Sequence, residues 1–274
     1  MQTNQLRKGM WAVITGASSG IGESMARQMG AQGMNLLLVA RRLDRLEALG
    51  AELKEQYQIE YQAIDADLSL AHEAKQVFER ATAQGRVVQV LINNAGVGVY
   101  GPFQHYDVEQ YLKMIQINVT ALMELSYHFV GHMRTHGKVS YIGNVGSIAS
   151  YLSVPYFSVY GATKHFVKEF SEALSYDLKK SNISVTLIAP GGTYSEFTER
   201  SGQILKASAH TNMMTSEAVA KIGLQGLFKR RRAIIPGWTN CVAVLFPRFF
   251  PAKWMLALNH WVMQRAVSYK KVSS

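Results

Sequence analysis

Seven short apolar runs, most of them separated by longer stretches with helical spacing, constrain this chain more than any other feature. The runs cover residues 11–15, 36–40, 59–64, 87–92, 138–142, 183–189 and 233–235. Between them, Leu43, Leu46, Leu49 and Leu53 recur at the spacing of one helix face. Val77 and Phe78 mark a short helix, and residues 111–133 read as a long one. Strands that alternate with helices pair in parallel, and the helices then cover both faces of the sheet. The pattern therefore predicts one α/β domain with a doubly wound parallel sheet. Hydrophobic residues make up 48% of the 274, enough for a sizeable core. No repeat, low-complexity segment or linker divides the chain. Residues 191–215 are polar and glycine-bearing, and are expected to form a mobile substrate loop with a short helix.

The first run ends in Thr15-Gly16-Ala17-Ser18-Ser19-Gly20-Ile21-Gly22, and Met25, Ala26 and Met29 open a helical pattern. Small residues at a strand–turn–helix junction let backbone N–H groups approach a pyrophosphate, with the helix N-terminus facing the anion. A lone glycine triplet can be just a tight turn. Its place after the first strand of an alternating chain favours phosphate binding.

Tyr160 and Lys164 stand four residues apart, so on a helix they share one face, with Cβ atoms about 5–6 Å apart. An ammonium that close favours phenolate. At an effective dielectric near 20 the interaction is roughly 3 kcal/mol, which is expected to lower a tyrosine pKa of about 10 by about two units. Such a phenol can give or take a carbinol proton. Ser147, just beyond the fifth run, can hydrogen-bond a carbonyl oxygen. Each feature alone has a plain structural reading: a helix surface, or a strand-end turn.

Jointly they resemble the short-chain dehydrogenase/reductase family over roughly residues 8–237. Its T-G-x-x-x-G-I-G motif matches residues 15–22, its N-N-A-G matches Asn93-Asn94-Ala95-Gly96, and its P-G matches Pro190-Gly191. Asn118, Ser147, Tyr160 and Lys164 fall where that family places its active-site tetrad. The chain departs at Gly146-Ser147, where two serines are frequent, and at Thr193 and Ser195, where Val and Thr are common. The resemblance implies a Rossmann-type domain over residues 1–237, with a mostly seven-stranded parallel sheet. It implies hydride transfer between a nicotinamide cofactor and a carbonyl or alcohol. Tyr160 would be the general acid/base, Lys164 its activator and Ser147 the group that polarises the carbonyl. Asn118 would hold a water linking Lys164 to solvent. Implied cofactor contacts are Gly16, Ser18, Ser19, Gly20, Ile21, Gly22, Asp67, Leu68, Asn94, Ala95, Gly96, Tyr160, Lys164, Pro190, Gly191 and Thr193. Relatives often pair through the helices carrying Asn118 and Tyr160, so a homodimer or homotetramer is expected.

The second strand ends in Ala40-Arg41-Arg42, where NAD-preferring relatives usually carry an acid for the ribose 2′-hydroxyl. The guanidinium of Arg41, which follows Ala40, suits a 2′-phosphate instead, with Arg42 beside it as a further cofactor contact, so NADP(H) is the expected cofactor. The competing reading makes both arginines solvated charges. A non-catalytic NADP-binding redox sensor is the functional alternative, although a sensor has no need of Tyr160.

The net charge of +10 lies entirely in the last 57 residues; the first 217 hold 19 basic and 19 acidic residues. No acid follows Glu217. Residues 238–274 form a hydrophobic, basic extension of the same domain, containing three of the four tryptophans. On a helix from Ala252, Lys253, His260 and Gln264 share a polar face, and Trp254, Leu258, Trp261 and Val262 an apolar side. Two readings stay open: a lid or subunit contact over the cleft of an apolar substrate, or a weak peripheral contact with anionic membrane. Basic residues interleaved with large apolar ones argue against nucleic acid. The single cysteine, Cys241, forbids an intrachain disulfide. With no apolar leader in residues 1–9 and no run of about 18 apolar residues, a cytoplasmic location is expected, with peripheral membrane contact at most. The eight histidines show no metal-ligand spacing, so no metal is expected.

Overall fold

The computed structural model describes residues 7–269. Lys270 and Lys271, part of the basic extension, lie outside the described residues. Strands β1 (Trp11–Thr15), β2 (Asn35–Ala40), β3 (Tyr61–Asp65), β4 (Val88–Asn93), β5 (Ser140–Val145), β6 (Ile183–Ile188) and β10 (Ala233–Ile234) form one parallel sheet. Its order is β10-β6-β5-β4-β1-β2-β3. The chain starts at β1, winds outward to β3, then crosses to β4 and winds the other way. That reversal opens a crevice at the carboxyl ends of β1 and β4.

Both faces of the sheet are covered. On one, helices α1 (Gly20–Gly30), α2 (Leu43–Tyr57) and α8 (Ser216–Phe228) bury Met25, Met29, Leu46, Leu53, Leu224 and Leu227. On the other, α3 (Glu73–Thr82) and α5 (Leu122–His136) bury Val77, Ala81, Leu125, Phe129 and Met133. The predicted four-leucine face of α2 is shorter than expected. Leu43 is exposed, while Leu46, Leu49 and Leu53 are buried. Gly50 completes the face because the Tyr61 ring occupies the space its Cβ would need, at 2.1 Å.

The long helix expected over residues 111–133 consists of α4 (Val108–Ile115), a π-helical segment (Gln116–Ala121) and α5 in direct succession. The wider segment contains Asn118. Such insertions recur at functional sites, because they change which side chains a helix presents. Helix α6 (Ser158–Asp177) carries Tyr160 and Lys164 in its first two turns.

Residues 191–215, expected to be a mobile loop with a short helix, contain that helix and three short strands besides. Strand β7 (Thr193–Tyr194) pairs with β9 (Met214–Thr215), α7 (Glu196–Arg200) lies between them, and β8 (Gln203–Leu205) pairs antiparallel with β11 (Val267–Tyr269). The partner of β8 comes from the far end of the chain, which no local sequence pattern announces. The extension itself forms α9 (Trp238–Leu245), a tight turn (Phe246–Phe249) and α10 (Ala252–Ala266).

Candidate active site

Tyr160, Lys164 and Ser147 meet above the carboxyl ends of the central strands, in a cavity of about 1150 Å³. Ser147 follows β5 directly. Its Oγ accepts from the Ala149 N–H at 3.1 Å, and its own N–H donates to Ser150 Oγ at 3.1 Å. These turn bonds fix the side chain, and its hydroxyl faces the Tyr160 phenol as a hydrogen-bond partner. The Tyr160 ring stacks on Phe157 at 4.2 Å between centroids and meets Phe197 at 5.5 Å. Lys164 Nζ lies 5.7 Å from the centre of the Tyr160 ring and donates to the Val145 carbonyl at 2.9 Å.

Burial dominates the electrostatics of this pair. It pushes the Tyr160 phenol up to about 12, with the neighbouring Ser147 hydroxyl pulling the other way. Burial also brings the Lys164 ammonium down to about 8. The expected lowering of Tyr160 by Lys164 is thus absent from the protein alone. Both groups lose water, and desolvation disfavours the charged form of each.

Asn118 does not line the cavity; it is buried behind it. Its Oδ1 accepts from the Val97 N–H at 2.9 Å, and its Nδ2 donates to the Val97 carbonyl at 2.9 Å and to Thr163 Oγ1 at 3.0 Å. It ties the strand β4 loop to helix α6. Its Oδ1 and Lys164 Nζ converge on Gly96, each 3.4 Å from where a Cβ would stand. All the other sequence-predicted positions except Gly22 line the cavity: Gly16, Ser18, Ser19, Gly20, Ile21, Arg41, Arg42, Asp67, Leu68, Asn94, Ala95, Gly96, Pro190, Gly191 and Thr193.

The groove fits a dinucleotide. Gly20 opens α1 at φ +61°, a conformation that favours glycine. Gly22 sits beneath, where an added Cβ would stand 2.4 Å from both Gly16 O and Asn94 Nδ2. Asn94 Nδ2 donates to the Thr15 carbonyl at 2.9 Å, and Thr15 Oγ1 accepts from the Asn94 and Ala95 N–H groups, both at 3.0 Å. The two glycine-bearing loops are thereby locked together, and the α1 N-terminus faces the open groove. At the far end Ser69 N–H donates to Asp67 Oδ1 at 3.0 Å. Burial works against the Asp67 carboxylate, yet the Ser69 bonds and the Arg41 charge hold it below its ordinary pKa.

The two arginines separate here. Arg41 is exposed beside Asp67, while Arg42 reaches across the glycine turn. Arg42 donates to Ser18 Oγ at 3.0 and 3.2 Å and to Ser19 Oγ at 3.0 Å. Arg42, rather than Arg41, therefore borders the serines that can meet a 2′-phosphate.

The extension closes the other side. Met255, Leu258, Val262 and Met263 of α10 line the cavity, with Ala243 and Phe246 before them. Trp254, Leu258, Trp261 and Val262 share one side of α10, as expected, yet that side is not buried: all four are exposed, Leu258 and Val262 bordering the cavity and the two tryptophans standing outside it. Nor is the polar face uniformly wet, since His260 packs against Tyr156, ring centroids 5.6 Å apart. Sequence reasoning singled out neither Val145 nor Phe157. Glu196 and Phe197 fall within the stretch 191–215 expected to meet substrate but were not named there, and Thr15 entered only as part of the glycine motif.

A family model described as short chain dehydrogenase matches residues 10–206. A sulfoacetaldehyde reductase of Chromohalobacter salexigens is 37% identical over 215 residues, which span 76% of this chain and 84% of that protein. A very-long-chain 3-oxoacyl-CoA reductase of Rattus norvegicus is 28% identical over 270 residues, spanning 97% and 84%. Among solved structures, a short-chain dehydrogenase from Sphingobium yanoikuyae in complex with NADPH superposes with a TM-score of 0.78 at 29% identity, over 97% of this chain and 98% of that one. With that match spanning most of the chain, and the motif residues gathered around one cavity, the protein is an oxidoreductase of the short-chain dehydrogenase/reductase family.

Proposed function

We propose that this enzyme uses NADPH to reduce the carbonyl of a bulky or extended apolar substrate to an alcohol, or runs the reverse reaction. The observation that carries the reading is the cavity itself. Tyr160 and Ser147 stand in a space of about 1150 Å³ whose substrate side is built from Leu152, Val154, Phe157, Leu258, Val262 and Met263. A small polar substrate leaves most of that apolar surface unfilled.

The bound cofactor supplies a hydride and no acid–base group. Ser147, whose hydroxyl pairs with Tyr160 in the protein alone, donates to the substrate carbonyl oxygen and stabilises charge as it develops there. Tyr160, protonated in its buried setting, delivers the proton to that oxygen. Lys164, brought to about 8 by burial, exchanges protons near neutrality and compensates the phenolate left behind. Asn118 is a positioning residue that holds the loop at Val97 against α6. Phe157 fixes the plane of the Tyr160 ring. The test is a screen of NADPH oxidation over ketosteroids, 3-ketoacyl thioesters, quinones and aromatic aldehydes. Turnover restricted to small hydrophilic aldehydes overturns the apolar reading.

Two exposed surfaces support partners. On α4, α5 and α6, Leu112, Ile115, Met123, Tyr127 and Phe166 are all exposed. This face fits a second copy of the chain, making a homodimer or homotetramer. Light scattering is expected to give two or four times the 30.5 kDa chain mass, and Tyr127→Glu with Phe166→Glu is expected to give a monomer. A wild-type monomer overturns it.

The second surface is the outer side of the extension, where Trp238, Phe249 and Trp254 are 78%, 82% and 66% exposed. No helix among the described residues is long and apolar enough to cross a membrane. The basic cluster at Lys229–Arg232 precedes β10, whereas Trp238 follows it, so the cluster lies at the opposite end of the sheet from these aromatics. Lys253 and Arg265 are the exposed cations within α10, and no acid occurs in the extension. Aromatics ringed by cations alone fit an anionic bilayer surface, each cation adding about 1 kcal/mol. The protein is expected to sediment with phosphatidylserine-rich liposomes at low salt and to be released by salt. Protein that stays in the supernatant at low salt removes the membrane reading and leaves α10 a lid alone.

A further inference from the structure

One carboxylate occupies the position where the NADP reading needs a phosphate. Glu196 opens α7, on the far side of the cofactor groove from Arg42. Its Oε2 accepts from Arg42 Nη1 at 2.9 Å and from Arg200 Nη2 at 2.6 Å, and its Oε1 accepts from Arg45 Nη1 at 2.6 Å. The Arg45 hydrogen bond does most to hold the Glu196 carboxyl below the usual carboxylate range; burial, next in size, opposes it, and Arg42 and Arg200 add to the lowering. Every polar end of the Arg42 guanidinium is engaged: Nε and Nη2 on Ser18 and Ser19, Nη1 on Glu196. Two guanidinium groups, Arg42 from the residue before α2 and Arg45 from its first turn, with two hydroxyls from the glycine turn, make a site for an anion of more than one charge.

The segment carrying Glu196 also crosses the groove. Ser195 Cβ lies 3.1 Å from where a Gly20 Cβ would stand, directly over the N-terminus of α1. The next residue along, Phe197, packs on the Tyr160 ring at 5.5 Å. Adjacent residues of one short helix thus reach the anion site and the catalytic phenol.

We infer that Glu196 is a specificity-determining residue that competes with the cofactor 2′-phosphate for Arg42, so that NADP(H), but not NAD(H), displaces it. The inference rests on the NADP reading above. A phosphate monoester carries more charge than a carboxylate and presents three acceptor oxygens, so it wins Arg42, Ser18 and Ser19 when it arrives. A carboxylate left beside it would be repelled. Its departure draws α7, and with it Phe197, away from the groove, so binding of the correct cofactor uncovers the face of Tyr160 that a carbonyl must approach. NAD(H), with a neutral 2′-hydroxyl, leaves Glu196 in place. The apparent affinity for NADP(H) is reduced by the fraction of molecules in which Glu196 holds the site.

The test is calorimetric titration of the full chain, without substrate, with NADP+ and with NAD+. Three proteins are compared: wild type, Glu196→Gln and Arg42→Ala. Glu196→Gln is expected to tighten NADP+ about tenfold and to leave NAD+ within about twofold. Arg42→Ala is expected to weaken NADP+ selectively. If Arg42→Ala does not weaken NADP+, the 2′-phosphate reading falls and this inference falls with it. If Arg42→Ala weakens NADP+ but Glu196→Gln leaves it unchanged, weakens it, or tightens both cofactors equally, the NADP reading stands and the competition is overturned.

Discussion

Tyr160→Phe is expected to bind cofactor as the wild type does and to lose carbonyl reduction by roughly 10²–10⁴-fold. The ring keeps its stacking on Phe157 and its approach to Phe197, so the wall of the cavity is preserved. Only the phenolic O–H is removed. In the wild type that proton is held firmly, because burial keeps the phenol near 12, and it is aimed at the same space as the Ser147 hydroxyl. Without it, the oxygen left by hydride transfer must take a proton from water in a pocket walled by apolar side chains. Ser147 can stabilise that oxygen but keeps its own proton. Single-turnover rates with NADPH and an accepted ketone measure the loss directly, and a parallel titration shows that binding is intact. Reduction at the wild-type rate removes Tyr160 from the chemistry.

The second large effect is expected at Arg42. On the proposed NADP reading, Arg42→Ala removes a charge-assisted bond to the 2′-phosphate, worth about 1.5–3 kcal/mol, so NADPH affinity is expected to fall roughly ten- to hundredfold while NADH affinity changes little. Arg41→Ala is expected to do less, since Arg41 stands beside Asp67 whereas Arg42 bonds Ser18 and Ser19. The difference between neighbours has a geometric cause. Arg42 is the residue before α2, so its side chain turns back over the glycine turn; Arg41 points outward from the strand end. Fluorescence titration of both cofactors against both variants decides it. Equal losses for NADPH and NADH in Arg42→Ala reduce its role to bracing Ser18 and Ser19.

The seven parallel strands were legible within two or three residues at each end, because a buried parallel strand must be a continuous apolar run and each is separated from the next by a helical period. The glycine turn, the N-N-A-G loop and the Tyr160/Lys164 pair were legible because the backbone geometry or the chemistry tolerates few residue types. Gly22 shows this: a single Cβ there would run into the Asn94 side chain and the Gly16 backbone.

What the sequence by itself determined was therefore the sheet, the glycine turn and the choice of candidate catalytic side chains. Tertiary structure decided the rest. The π-helical segment that carries Asn118 has no local signature, and it turns that side chain onto the Val97 backbone. The shift of Tyr160 to about 12 arises from burial, with Phe157 three residues earlier on one side of the ring and Phe197, distant in sequence, near it as well; spacing alone suggested the opposite sign. The choice between Arg41 and Arg42 depended on which way two adjacent side chains leave a strand end. The pairing of β8 with β11 joins residues some sixty positions apart, and it is this pairing that brings α10 over the cavity. Local periodicity reports which face of an element is apolar. It carries no information about which distant apolar face will cover it, and the Glu196 bridge to Arg42, across 154 residues, is set at that level.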